Sequence, residues 1–596
     1  MDRASKLGLV GFLVAVLLIM NCGGVFGIVE LGSEGGLIPT SPVSPVRDLT
    51  TISFSTGTSV STLFAAGLPL TYPFVGVNMF FGLTILKEPR DYGFARELNV
   101  SWVSMQPVVI WFSIESSPGQ YNWSGLDREV AALQQLGLDC SVVLIPMNAF
   151  GEKRAEIASQ LQNEDVDSFL RTPESATLML YPNNETLPVW IDFVRAIVDR
   201  YDGDGVNDML GLKYPVRNWH FSEEYPEFYI PAEVYVDLLK ITYPVIKETD
   251  PQAKVILHGI ASNLLQYMAF VKGFIDDPDA GVINGTAFTR IQIAARYRDA
   301  LRDVEYFLEE GKGYYDAVDV HLYEPKETFL KGKVNWMKSA LQELDVNVPI
   351  WCIEGGGPFK LKEGQQSQFG DQYWGRYTDK ENAEFVVKMH VMAAATGIER
   401  FHWGLCATGG DDYWSGPWNN MALATYEREK KPAFYTFKIM LEKLRDFKKA
   451  NDLSTGDVNL YEFEVGSEKV YVAWANANST VDLSQQSSIG KCLVKITHIV
   501  TELDDDGSPV AVGEEIQSST RVNLTNTPII ISSWVVTTAD LNGDGIVSTH
   551  DISIVAEAFG AKFGELDWND IADLDKNGTI NIIDISIVAR AFGIIF

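Results

Sequence analysis

From Tyr72 to Phe447 the chain alternates short apolar runs with longer amphipathic ones, and this alternation constrains the fold more than any other feature. Eight strand-like runs stand out: Phe74–Phe81, Trp102–Pro107, Asp139–Pro146, Val216–Ser222, Lys254–Ile260, Ala317–Tyr323, Pro349–Ile353 and Arg400–Leu405. Helical stretches lie between them, among them Leu126–Leu136, Pro188–Tyr201, Pro231–Thr249, Asp379–Thr396 and Lys431–Phe447. Strand and helix in strict alternation predict βα units around a parallel sheet. Eight such units fit an α/β fold of the (β/α)8 TIM-barrel type. An open doubly wound sheet is the alternative, but no Gly-rich phosphate loop follows an early strand.

The rest of the chain is organised differently. At 596 residues it exceeds what one core holds. Arg3 and Lys6 precede an apolar run, Leu7–Met20, of signal-peptide length and short for a membrane span. Val25-Phe26-Gly27 supplies a cleavage point; an uncleaved N-terminal anchor is the other reading. The expected layout is a signal peptide (1–27), a linker with some β strands (28–71) and the barrel (72–447). A small antiparallel β-sandwich (448–536) and a calcium-binding module (537–596) follow. The sandwich rests on short alternating runs, Val458–Val465, Lys469–Ala475, Leu493–Val500 and Ile529–Val535. A net charge of −31 argues against nucleic acid or anionic membranes as partners. It suits a secreted, extracellular protein, free or held at a cell surface, acting on a neutral carbohydrate. Cys140, Cys352, Cys406 and Cys492 match no zinc spacing and read as buried thiols.

The last sixty residues contain a duplication. One copy runs Asp540, Asn542, Asp544, Ile546, Ser548, Asp551; the other runs Asp573, Asp575, Asn577, Thr579, Asn581, Asp584. Oxygen side chains fall at positions 1, 3, 5, 9 and 12 of each loop and a backbone carbonyl at 7, with Gly at 6. This is EF-hand spacing, and it predicts two structural Ca²⁺ ions. Position 12 is Asp, and each loop has a helix after it but no clear one before. In these features the segment resembles a type I dockerin, a small α-helical domain. The resemblance implies a cohesin-type scaffold partner, recognised at positions 10 and 11: Thr549 and His550 in one copy, Ile582 and Ile583 in the other.

Two strand ends carry the chemistry. Asn218-Trp219-His220-Phe221-Ser222-Glu223-Glu224 ends the fourth strand in paired acids, and Val348–Ile353 ends the seventh in Glu354. Carboxylates from separate strand ends are what glycosidic-bond hydrolysis requires. With Trp111-Phe112-Ser113-Ile114-Glu115, Pro118–Trp123, His321-Leu322-Tyr323 and Trp403, the pattern resembles the clan A glycoside hydrolases. That resemblance implies a retaining, double-displacement hydrolase of β-linked polysaccharide or oligosaccharide, with no cofactor for catalysis. It implies Glu224 as acid/base, Glu354 as nucleophile, and Trp219, Glu223, His321, Tyr323 and Trp403 as substrate contacts. Glu223 stands where the family has a 2-hydroxyl-binding Asn, and Ser104 or Gln106 stands near the place of its strand 2 Arg. Glu223 is also the other candidate for the acid/base. The rival function is a non-catalytic carbohydrate-binding or surface protein on a barrel scaffold. A further acidic run, Asp202, Asp204 and Asp208, reads as a solvated turn, with a cation site as its alternative.

Overall fold

The structure is a computed structural model and describes residues 79–84, 89–104, 107–147, 181–222, 224–225, 231–283, 285–358, 361–362, 376–404, 421–425, 427–484, 486, 493–510, 513–517, 519–534, 539–544 and 546–591. Eight parallel strands form the barrel. They are β1 (Phe81–Thr84), β2 (Trp102–Val103), β3 (Asp139–Ile145), β4 (Asn218–Phe221), β5 (Lys254–Ile256), β6 (Val318–Asp319), β7 (Ile350–Cys352) and β8 (Ile398–Gly404). Neighbours in space follow chain order, from β1 through β5 and from β6 through β8 back to β1. Parallel bridges Ile256–Ala317 and Ile260–Val320 join β5 to β6 and complete the ring.

The strands form where the sequence is apolar on both faces, because a barrel strand is covered by helices outside and packed side chains inside. All seven residues of β3 are buried. Outside run α1 (Pro89–Leu98), α2 (Ser124–Gln135), α3 (Leu187–Tyr201), α4 (Ala232–Thr249), α5 (Ser262–Val271), α6 (Arg298–Glu310), α7 (Thr328–Glu343), α8 (Asp379–Thr396) and α9 (Pro432–Leu444). Thr378 opens α8 with a capping box shared with Glu381, and Gly397 closes it in the left-handed conformation. The first strand lies further along the chain than the expected Phe74–Phe81. Its register is set by Phe81 and Leu83 pairing with Phe401 and Trp403. Of the expected run, only 79–81 falls within the described residues.

The second unit begins with β9 (Phe447–Asp452), β10 (Val458–Val465) and β11 (Glu468–Ala475), which pair antiparallel. Strands β12 (Ser479–Asp482), β13 (Leu493–His498), β14 (Glu514–Gln517), β15 (Arg521–Leu524) and β16 (Ile529–Trp534) complete it. Period-two alternation assigns its faces. Tyr461, Phe463, Val470, Val472 and Trp474 belong to the barrel's own core, whereas Leu460, Tyr471 and Ala473 pack with Val522 and Leu524 of β15. The two units therefore share a hydrophobic core. Lys388 to Asn526 and Thr436 to the Val500 carbonyl add polar ties across it.

At the C-terminal end, helices α10 (Thr549–Glu557) and α11 (Ile582–Ala591) enclose a separate small core of Val547, Val555, Leu574, Ile580, Ile587 and Val588. Among the described residues no helix is long and apolar enough to cross a membrane.

Candidate active site

Pleating decides which residues of β4 face inward. Phe221 packs on Trp190 of α3 and Tyr235 of α4, so odd-numbered residues face the helices. Even-numbered Asn218 and His220 face the barrel interior, where they meet Asp139 and Asp319. Ser222 ends the strand in the left-handed region, with φ of 69°. That conformation costs a non-glycine residue about 1–2 kcal/mol. Just beyond this turn stands Glu224, at the C-terminal rim where barrel active sites are built.

One imidazole gathers the site. The Nδ1 of His321 lies 2.8 Å from Glu224 Oε1 and 3.4 Å from Glu354 Oε2. Its Nε2 lies 3.0 Å from Asp319 Oδ2. All three partners are acceptors, so the ring donates from both nitrogens and carries a positive charge. Burial opposes that charge, but Glu354, Glu224 and Asp319 outweigh it and hold the His321 pKa well above its ordinary value. The ring fits because Gly259 faces it: a Cβ there would stand 2.0 Å from His321 Nε2. Glu354 also accepts a 3.0 Å hydrogen bond from the Tyr323 hydroxyl. Burial and the nearby Glu224 charge push Glu354 up to about 7, against the pull of His321 and Tyr323.

Of the residues that support the site, Ser104 and Tyr323 were named in the sequence, whereas Asp319, His220, His402, Ser262, Lys333 and Glu324 were not. Asp319, fully buried, takes hydrogen bonds from both His220 and His321 on Oδ2 and from the Ile353 amide on Oδ1. Burial favours its neutral form, but the two imidazoles overcome this and keep it ionised. Ser104 donates to the Ile353 carbonyl and sits 2.5 Å from His402 Nδ1. Tyr323 is held through its backbone by Ser262, whose hydroxyl is bonded in turn by Lys333, itself paired with Glu324. The signal that could have found them is parity. Asn218 and His220 alternate on β4, and Asp319 and His321 stand two residues apart at the end of β6.

Of the residues expected to form the site, Glu224, Glu354, His321 and Tyr323 come together. Two others do not. Trp219 and Trp403 are fully buried, which corrects their reading as sugar contacts. Trp219 shares the outward parity of Phe221, and Trp403 lies beside His390 of α8 with its indole N–H on the Met421 carbonyl. Neither exposes a face on which a sugar could stack. Glu223 and Gln106 lie outside the described residues, as do Cys406 and Cys492. Cys140 and Cys352 are buried free thiols. Glu115 is buried and braces its loop through Trp111 and the Gly119 amide. The acidic run is a turn in which Asp202, Asp204 and Asp208 accept hydrogen bonds from neighbouring backbone amides, with one carboxylate oxygen of each within 4.8 Å of the others.

At the C-terminal end both Asp-rich loops fold alike. Asp551 accepts from the Leu541, Asn542 and Ser548 amides, and Asp584 accepts from the equivalent Leu574, Asp575 and Asn581 amides. Asp540 and Asp573 accept at the matching turn, from Asp544 and Asn577. Ser548 and Asn581 cap the helices that follow. In the second loop, carboxylate oxygens of Asp573, Asp575 and Asp584 converge within 4.8 Å. Burial, with Asp584 and Asp573 alongside, raises Asp575 to about 6. A hard divalent cation would relieve that repulsion, so this donor set fits calcium. In sequence, residues 538–593 match the family described as "Dockerin type I domain". This segment is a type I dockerin.

The dockerin presents Thr549, His550, Ile582 and Ile583 to solvent, the two isoleucines at 63% and 40% exposure. No curated protein matches the chain. Among solved structures, it is similar to a family 39 glycoside hydrolase from the gut symbiont Bacteroides cellulosilyticus WH2, at 14% identity, 77% of this chain, 81% of that one and a TM-score of 0.48. A glucosidase from Croceicoccus marinus aligns at 10% identity over 77% and 96%, with a TM-score of 0.46. A GH30 endoxylanase from Clostridium papyrosolvens C71 aligns at 12% over 78% and 97%, with a TM-score of 0.44.

Proposed function

We propose that the chain is an exported retaining glycoside hydrolase that acts on β-linked glycans and is tethered through its dockerin to a cohesin-bearing partner. The observation that carries this reading is the single His321 nitrogen shared by Glu224 and Glu354. Oxygens held on one atom sit closer than the roughly 6.5–9.5 Å that an inverting pair needs to admit water, and suit the roughly 5–5.5 Å of a retaining pair. In this reading Glu354 attacks the anomeric carbon while Tyr323 and His321 hold its carboxylate in place. In the reactive form the proton shared by the coupled pair sits on Glu224, which gives it to the departing oxygen and then removes one from the water that releases the sugar. His321 stabilises the negative charge that the two glutamates share at different stages. No cofactor takes part in these steps.

Calcium belongs to the dockerin. Asp540, Asn542, Asp544, the Ile546 carbonyl, Ser548 and Asp551 would hold one ion. Asp573, Asp575, Asn577, the Thr579 carbonyl, Asn581 and Asp584 would hold the other. Each ion would fix the loop that orients its following helix.

Single Gln replacements of Glu224 and Glu354 test the catalytic reading on a panel of β-glucan, mannan, xylan and aryl β-glycosides. Each should lower kcat/KM on unactivated substrates by about 10³-fold or more. Glu224→Gln should retain the first chemical step on aryl glycosides whose leaving group needs no proton. Undiminished hydrolysis by either variant would remove the assignment.

A further inference from the structure

We propose that Asp319 is the positioning residue of this site: it places Glu354 through the Ile353 amide and holds His321 so that its Nδ1–H faces both glutamates. This rests on the two-glutamate reading and assigns a role beyond it. Asp319 never reaches the rim. It is fully buried at the end of β6, two residues before His321. Its Oδ1 accepts from the Ile353 amide at 3.0 Å, while Ser104 takes up the carbonyl of the same residue at 2.8 Å. Both backbone groups of the residue before Glu354 are therefore fixed by side chains from other strands. Its Oδ2 accepts from His321 Nε2 at 3.0 Å and His220 Nε2 at 3.1 Å. An ionised carboxylate behind the ring compels Nε2 to donate and fixes the ring's orientation, so that in the charged ring the Nδ1–H is aimed at Glu224 and Glu354.

Charge follows from the same arrangement. The groups facing His321 are Asp319 at the end of β6, His220 on β4, Glu224 and Glu354 just beyond the ends of β4 and β7, and the neutral imidazoles His402 and His258. Asp319 is the one carboxylate among them that substrate cannot touch, so it is the counter-charge that persists through the reaction.

The experiment uses the full-length chain. Ring ¹⁵N–¹H correlation spectra over a pH series follow His321, identified among seven histidines by comparison with His321→Gln. In the unmodified protein both His321 nitrogens should remain protonated well above the roughly 6.5 of a free imidazole. In Asp319→Asn the amide nitrogen cannot accept, so one ring proton should be lost at a lower pH than in the unmodified protein. On hydrolysed substrates, kcat should fall about 100-fold or more with KM changed less than about 3-fold. Titration of His321 near 6.5 in the unmodified protein would overturn the proposal, and so would an Asn variant that keeps both protons and full kcat. The spectra need no substrate. Absence of glycosidase activity would therefore count against the function and leave the Asp319 result readable, and the unmodified protein gives the answer if the variant does not fold.

Discussion

The Glu354 carboxyl sits near neutrality because burial and the Glu224 charge together exceed the stabilisation from His321 and Tyr323. In the proposed mechanism attack on the sugar requires its ionised form, so kcat/KM should rise with pH through a limb near 7. The limb belongs to the coupled pair rather than to one group. Removing the like charge in Glu224→Gln should move it to lower pH. The check is a pH profile on an aryl glycoside with an activated leaving group, for which the missing acid does not limit the first step. An unmoved limb would mean that the two carboxylates do not sense each other. At this scale the sequence was readable only in part. Glu224 and Glu354 were visible as acids at strand ends. Asp319, His220 and His402 were not, because an isolated polar residue inside an apolar run looks like a break in the strand. Inside a barrel the same residue is an inward-facing partner. Trp219 failed for the opposite reason: its parity placed it among the helices, and an aromatic near an acid does not reveal which face it shares.

Helix α7 and the strand end before it are joined by an ion pair that no surface explains. Lys333 and Glu324 are both buried, and Lys333 also reaches Ser262, which brackets the backbone of Tyr323. Burial lowers the Lys333 pKa and raises that of Glu324, each resisted by its partner. Truncating one member of such a pair leaves an uncompensated charge, so Lys333→Met should cost about 3–5 kcal/mol of stability. Replacing both members by apolar residues of similar volume should recover most of that loss, as chemical denaturation would report. A single-variant loss under about 1 kcal/mol would mean that Glu324 finds another partner or takes up a proton. Elements were the most legible level of this chain. Strands buried on both faces read as continuous apolar runs, and α8 begins and ends at its capping residues. The first strand was shifted because its register comes from pairing with β8, which local pattern does not contain.

Across the whole molecule the cores decide what unfolds with what. One face of the β-sandwich belongs to the barrel's core, whereas the dockerin has its own. Calorimetry should therefore show barrel and sandwich melting as one transition and the dockerin as another. Ca²⁺ at a concentration 100-fold above its Kd would stabilise the dockerin transition by about 2.7 kcal/mol per site. A chelator should remove that shift and leave the larger transition in place; a dockerin transition that ignores the chelator would contradict the loop assignment. The duplication was legible because each loop carries its ligand pattern within twelve residues. The shared core was not, because it joins residues far apart in the chain. The central claim is that Glu224 and Glu354 act as a retaining pair. Proton NMR of the first-formed reducing end during hydrolysis of a β-glycan tests it most directly. The account predicts that the β-anomer appears first and then mutarotates; an α-anomer appearing first would contradict it.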